Sequence, residues 1–212
     1  MRIPVQLFDH ATNDAVEGEL FDEVTVEHFL ETQRDWRPAV IEAAKAMLKS
    51  GAPREGVPRH FHWDWSRKEA DLKVLAFSFF GITCGGRLQG LMKLETAGRS
   101  CRLPAQKGKP LVYVDYLETA PWNIKTLAQP LGKAPQFGAI GSRLIEAAVR
   151  KSIEEGFKGR IALHSLSTSE QFYLEKCGMT AVSRDPAKQD LLWCEFTPEQ
   201  AELFLGEGGG AA

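Results

Sequence analysis

Between residues 23 and 50, Val26, Phe29, Leu30, Val40, Ile41, Ala44, Met47 and Leu48 recur at three- and four-residue steps, the spacing of a helix face. Pro38 falls inside this stretch and predicts a division into two helices, because proline is excluded from a helix interior but suits a first turn. Ahead of it, Ile3, Val5 and Leu7 alternate with other residues and predict a short strand over 1–9. Gly and Pro punctuate GAPREGVPRH (51–60), which reads as a loop leading to the aromatic cluster FHWDW (61–65) and a charged turn.

From residue 72 the pattern changes to strand character. LKVLAFSFFGI (72–82) and RLQGLMKLE (87–95) flank a Gly85-Gly86 hairpin turn, and LVYVDYLE (111–118) is a third strand. Over 139–155, Ile140, Leu144 and Ala148 form one helical row and Ile145, Val149 and Ile153 another, with Gly156 as the stop. RIALHSL (160–166) reads as a buried strand and STSEQFYLEKCG (167–178) as a second helix. Strands near 179–184 and 190–197 close the domain. The strand–helix–strand unit over 111–166 needs a crossover, which makes its two strands parallel neighbours in an otherwise antiparallel sheet. The fold class is therefore α+β with a mixed sheet.

Composition narrows the classes little. The 212 residues suffice for one domain with a full core, and 26 basic against 28 acidic residues give a net charge of −2, which argues against a dominant nucleic-acid-binding role. The cysteines, Cys84, Cys101, Cys177 and Cys194, show no metal-ligand spacing and read as reduced thiols. Neither a signal peptide nor a membrane span is apparent, so a cytoplasmic location with no membrane partner is expected.

QFGAIGSRL (136–144) carries the sharpest chemistry. Unpaired N–H groups at a helix N-terminus attract phosphate oxygens, and small residues let them approach the backbone. Taken alone, this loop is equally an ordinary helix start. Its context adds more: the strand LVYVDYLETAP, the loop QFGAIGSRL, a helix, a strand and then EQFYLEKCGM resemble the GNAT N-acetyltransferase superfamily in order and spacing. The matching residues are Leu117, Thr119, Pro121, Gln136, Gly141, Tyr173, Gly178 and Met179. The resemblance is strong over about 72–196 and weak over 1–70.

Membership would imply a mostly antiparallel central sheet with a splayed parallel strand pair and flanking helices. It divides the chain into an N-terminal helical part (1–70) serving an acceptor site or an interface, an acetyl-CoA-binding core (71–205) and a disordered tail (206–212). It implies acetyl-CoA as cosubstrate with no metal, and acetylation of an unidentified small-molecule or peptide amine. A homodimer is a further expectation from the family. The diphosphate would lie on Gln136, Phe137, Gly138, Ala139, Ile140, Gly141 and Ser142, and the thioester against the backbone of Leu117, Glu118 and Thr119. Arg143, Arg150 and Lys151 are candidates for the 3′-phosphate.

Strict alternation places Tyr113, Asp115, Leu117 and Thr119 on one face of their strand. Asp115 is therefore the first candidate base, with Glu118, on the other face, as the second. Tyr173 matches the family tyrosine that protonates the leaving thiolate. Trp63, Trp65 and Trp122 are candidates to line the acceptor pocket, and His164 reads as a satisfied core histidine.

Three departures from the family pattern stand out. Ala139 replaces the loop's first glycine, which requires a backbone without positive φ or room for a methyl group beside the phosphate. Leu166 lies near the place of an expected Asn, and 122–133 is an insertion beside the cleft, to be read either as a surface loop or as a loop that shapes substrate access. These features keep open a second reading, a non-catalytic acyl-CoA-binding or interaction module.

Overall fold

A computed structural model describes residues 1–50, 63–206 and 208. The loop expected over 51–60, the first residues of the aromatic cluster and most of the expected tail lie outside them.

The chain opens on a hairpin. β1 (Arg2–Asp9) pairs antiparallel with β2 (Asp14–Phe21), and β2 then pairs with β3 (Phe77–Cys84). The sequence did not mark β2, because DAVEGELF places small and acidic residues at the exposed positions and has little apolar alternation to read.

Helix α1 (Val26–Glu31) starts at Thr25, whose N–H donates to His28 Nδ1 at 3.0 Å. A π-helical turn, Thr32–Trp36, joins it to α2 (Arg37–Lys49), so the two expected helices run on through one wide turn, with Pro38 in the first turn of α2. Residues Trp65–Lys73 form a 3₁₀ helix whose cap, Asp64, accepts the Ser66 N–H. Strand β3 accordingly begins five residues later than its hydrophobicity suggested.

β4 (Arg87–Glu95) and β5 (Val112–Thr119) complete the antiparallel run. The crossover helix α4 (Ile140–Glu154) leads to β7 (Ile161–Ser165), which is parallel to β5. Short elements lie between β5 and α4: α3 (Lys125–Ala128) and β6 (Phe137–Gly138). The segment expected as a second helix near 167–178 is a 3₁₀ turn followed by the π turn Phe172–Lys176. β8 (Thr180–Asp185), β9 (Leu191–Glu195) and α5 (Pro198–Gly206), which the sequence reading did not foresee, close the chain. The nine strands among the described residues form one sheet in the order β6-β1-β2-β3-β4-β5-β7-β9-β8.

Two cores sandwich this sheet. On one face Met92, Leu94, Val112, Val114 and Leu163 pack under Ile140, Leu144 and Ala148 of α4. The approach is close enough that a Cβ on Gly90 would lie 2.7 Å from Ile140, so the glycine sets how near the helix sits. On the other face Phe29, Trp36 and Trp65 cover Phe79, Leu88 and Leu91. The four cysteines are buried thiols, and no helix among the described residues is long and apolar enough to cross a membrane.

Candidate functional site

The parallel ladder between β5 and β7 is short. It pairs Val112–Val114 with Ile161–Leu163 and goes no further, although β5 continues to Thr119. The separation begins at Asp115. Against β4, Val114 faces Leu94 and Tyr116 faces Lys93, so Asp115 is the extra residue of a β-bulge. Beyond the bulge, Ala120 N–H donates to Gln89 O at 2.8 Å. Antiparallel alternation then turns the backbone of Tyr116 and Glu118 toward β4 and aims that of Leu117 and Thr119 into the gap left by β7.

The bulge corrects the face assignment read from strict alternation. Val112, Val114 and Leu117 pack on the α4 side, whereas Tyr113, Tyr116 and Glu118 face the opposite layer. Tyr113 and Leu117 thus point to different faces. Glu118, placed by alternation away from the acceptor face, lies on the side of the gap opposite α4.

Glu118 has a structured surrounding there. Trp65, 1% exposed, donates its indole N–H to Glu118 Oε2 at 2.7 Å. Trp63 meets the Tyr116 ring edge-on at 5.0 Å. A cavity of about 30 Å³, room for a single water, opens among Trp36, Trp63, Trp65 and Glu118. Burial pushes the Glu118 carboxyl up to about 7, against the opposing pull of the Trp65 N–H and the Lys68 charge.

Asp115 is differently placed. Lys93 Nζ lies 2.8 Å from Asp115 Oδ2 and 2.8 Å from Asp71 Oδ2, so both carboxylates share one buried ammonium. A larger cavity, about 320 Å³, lies away from the gap between β1, β3 and α4, and its cations Arg150 and Lys151 are held by Glu146, Glu154 and Glu155.

At the other end of the gap, residues 136–142 lead into α4. Ala139 is the helix N-cap and adopts φ 68°, ψ −5°. Of the two conditions for an alanine here, a backbone without positive φ is not met and room for the methyl group is the one left: an alanine occupies the left-handed conformation that glycine usually supplies, at a cost of about 1–2 kcal/mol. Neighbouring bonds fix it there. Phe137 and Gly138 pair with Asp9 and Phe8, and His10 N–H donates to Gln136 O at 3.0 Å. Gln136 itself is exposed, Ser142 is buried and the Phe172 ring lies against Gly141.

The 122–133 insertion is a packed strut and not a surface loop. Leu127 is buried against Val40 and Ala43 of α2. Gln89 Oε1 accepts from Trp122 Nε1 and Asn123 Nδ2, each at 2.9 Å, and Asn123 Oδ1 accepts the Phe137 N–H at 2.9 Å. Trp122 also lies under the Arg87 guanidinium at 4.0 Å. Gln89 and Asn123 escaped the sequence reading because nothing local marks them; they matter only through partners far away in the chain.

Tyr173 sits in the π turn, buried beside Cys177, and burial raises its hydroxyl far above the usual range, keeping it protonated. Arg143 is engaged by Glu146 and Gln6 O. His164 is enclosed between the Tyr113 hydroxyl, 2.7 Å from Nδ1, and Asp185 Oδ2, 3.0 Å from Nε2. Among the described residues no group of His, Cys, Asp and Glu could hold a metal ion.

The fold as a whole is shared with known structures. The PaiA N-acetyltransferase from Thermoplasma acidophilum, solved in complex with coenzyme A, superposes with a TM-score of 0.51 over 85% of this chain and 98% of its own, at 16% identity. The chain has the GNAT fold. The GNAT domain of S. lividans PAT agrees, with a TM-score of 0.50 over 92% of this chain and 96% of its own, also at 16% identity. No protein-family model and no curated protein matches the sequence. Within the GNAT fold, β5 and β7 are the splayed pair and residues 136–142 are the loop that opens the crossover helix.

Proposed function

We propose that this protein is an acetyl-CoA-dependent N-acetyltransferase that acetylates an amine by direct attack on the thioester. The observation that carries the reading is the gap between β5 and β7, with an N-terminal helix end on one side and a buried carboxyl on the other. The diphosphate would meet the backbone N–H groups of residues 139–142, where the helix dipole adds positive charge. The thioester would lie along β5, its carbonyl oxygen held by the Leu117 or Thr119 N–H aimed into the gap.

Glu118 takes the role of base. A carboxylate near pH 7 is poised to accept a proton from an ammonium whose own pKa falls on burial, directly or through the one water its cavity admits. Asp115, the first candidate from sequence, is neutralised by Lys93, and its part is to hold that lysine. As the amine nitrogen bonds to the acetyl carbon, the C–S bond breaks and the thiolate takes the Tyr173 proton. Trp63 and Trp65 frame the acceptor side, and Trp122 braces the diphosphate loop through Gln89 and Asn123.

Calorimetry of acetyl-CoA with the native protein and with Ala139→Asp tests this reading. Aspartate tolerates positive φ and is a favoured N-cap, so the variant keeps its fold while placing a negative charge where the diphosphate would sit. Micromolar binding, lost in the variant at an undiminished melting temperature, is the expected result. Absence of binding to the native protein would remove the enzyme reading and leave an interaction module.

A further inference from the structure

The acceptor side of β5 already holds an amine. Lys68, on the 3₁₀ helix that carries Trp65, is 8% exposed, and its Nζ lies 3.8 Å from the centroid of the Tyr116 ring and 5.3 Å from that of Trp65. It donates to the Asp64 carbonyl at 3.2 Å. The charged groups Glu118, Asp115, Asp64 and Lys93 surround it.

Two buried lysines on this face are in different states. Burial works against the charge of Lys93, but two carboxylates at 2.8 Å outweigh it and its pKa is raised. Lys68 has aromatic faces and a carbonyl instead, and burial lowers its pKa, moving it toward the neutral amine that acyl transfer requires. Its place in front of Tyr116 and Glu118 is where an acceptor nitrogen would approach a thioester lying beside Leu117.

We propose that Lys68 is an internal acceptor, acetylated by the protein's own site. This rests on the acetyltransferase reading above. The Lys68 nitrogen bonds to the acetyl carbon, the C–S bond breaks, the amine proton passes to Glu118 and the thiolate sulfur takes the Tyr173 proton. The products are Nε-acetyl-Lys68 and coenzyme A, and exchange with water resets both side chains. Transfer replaces a cation between Tyr116 and Trp65 with a neutral amide and removes a positive neighbour that favours the charged form of Glu118. The modification thereby changes the acceptor site that made it.

The test is to incubate the purified full chain with acetyl-CoA, follow intact mass and map acetyl-lysines by peptide mass spectrometry. The expected outcome is one acetyl group at Lys68, added at least tenfold faster than at the exposed Lys45 and Lys107, with a rate constant independent of protein concentration. Lys68→Arg should abolish the fast mass increase and leave only the slow acetylation of surface lysines. Acetylation of Lys68 no faster than at those surface lysines, or at a rate that scales with protein concentration, would overturn the proposal. If calorimetry then still shows acetyl-CoA bound, the acetyltransferase reading stands without it; if acetyl-CoA does not bind, both fall together.

Discussion

Trp65 and Glu118, 53 positions apart in sequence, meet through a 2.7 Å hydrogen bond from the indole N–H to Oε2. The contact joins the 3₁₀ helix over α1 to the strand that borders the gap. It holds a carboxyl in apolar surroundings without giving it a counter-ion of its own, and the proton equilibrium of Glu118 follows from that.

Glu118 should act oppositely on stability and on activity. Its carboxyl titrates near 4.5 when unfolded and at about 7 when folded. Between these values the native state binds more protons, so this contribution to stability is fully present below the unfolded value and is lost as pH rises through about 7. Glutamine mimics the protonated form. Glu118→Gln should therefore be more stable than the native protein at pH 8, by up to about 3 kcal/mol at roughly 1.4 kcal/mol per pKa unit, with the gain vanishing near pH 4. Acetyl transfer should rise with pH through about 7 in the native protein and drop about a hundredfold or more in the variant. Urea denaturation across pH and a thiol-release assay read the two effects, and a variant that loses stability at pH 8 would contradict the assignment.

Ala139 stores strain that a single substitution relieves. Its φ of 68° places a Cβ where an L-residue is disfavoured, so Ala139→Gly should stabilise the fold. Added freedom in the unfolded chain offsets part of the gain, leaving about 1 kcal/mol or less. Ala139→Val should lose more than that, because a branched side chain is worse still at positive φ. Chemical denaturation of the pair orders them, and equal stability would show that the loop relaxes out of the left-handed conformation.

How far the sequence disclosed this arrangement depends on the range over which each feature is encoded. Strands β4 and β5, the Gly85-Gly86 turn and α4 are written in local periodicity and turn residues and stand close to their expected places, while β3 is found with a later start. The GNAT order of strand, loop and helix was readable because several weak motifs occur in sequence. The bulge at Asp115 was not, since an extra residue in a strand is defined by the partner strand's register and leaves the strand's own composition unchanged. One unread residue reversed the faces of everything after it. Lys68 and Gln89 were missed for a related reason: a lysine in a charged turn and a glutamine in a strand look solvated until Tyr116 and Asn123 arrive beside them.

The strut offers a way to weaken cofactor binding from a distance. Asn123 accepts the Phe137 N–H and donates to Gln89, tying the insertion to the loop that enters α4. Asn123→Ala removes both bonds, with an expected loss of about 1–2 kcal/mol in stability. Because the loop loses its anchor one residue after Gln136, acetyl-CoA binding should weaken several-fold while the β5 side of the site keeps its geometry. Calorimetry and denaturation on the same variant measure the two; unchanged affinity would separate the strut from the diphosphate site.

His164 gives the protein a second pH dependence, of opposite sign to that of Glu118. Its side chain, 4% exposed, lies between Asp185 and Tyr113. A carboxylate accepts at Nε2, so the neutral ring carries its proton there and Nδ1 accepts from the Tyr113 hydroxyl. Burial lowers its pKa below 6.5, although the Asp185 bond pulls the other way. The native state then binds fewer protons than the unfolded chain, so this stability is present above 6.5 and is lost as pH falls through the folded value. Asp185, held low chiefly by the Arg102 guanidinium, loses its own contribution only as pH falls from 3.8 downward, in a separate window. In a Glu118→Gln background, where the opposing Glu118 titration is removed, stability measured in urea should therefore decline on acidification from pH 7 toward 5.5, and adding His164→Gln should flatten that decline without altering the behaviour near pH 4. A Glu118→Gln protein whose stability rises over the same interval would mean that Asp185 outweighs burial and holds His164 as the cation.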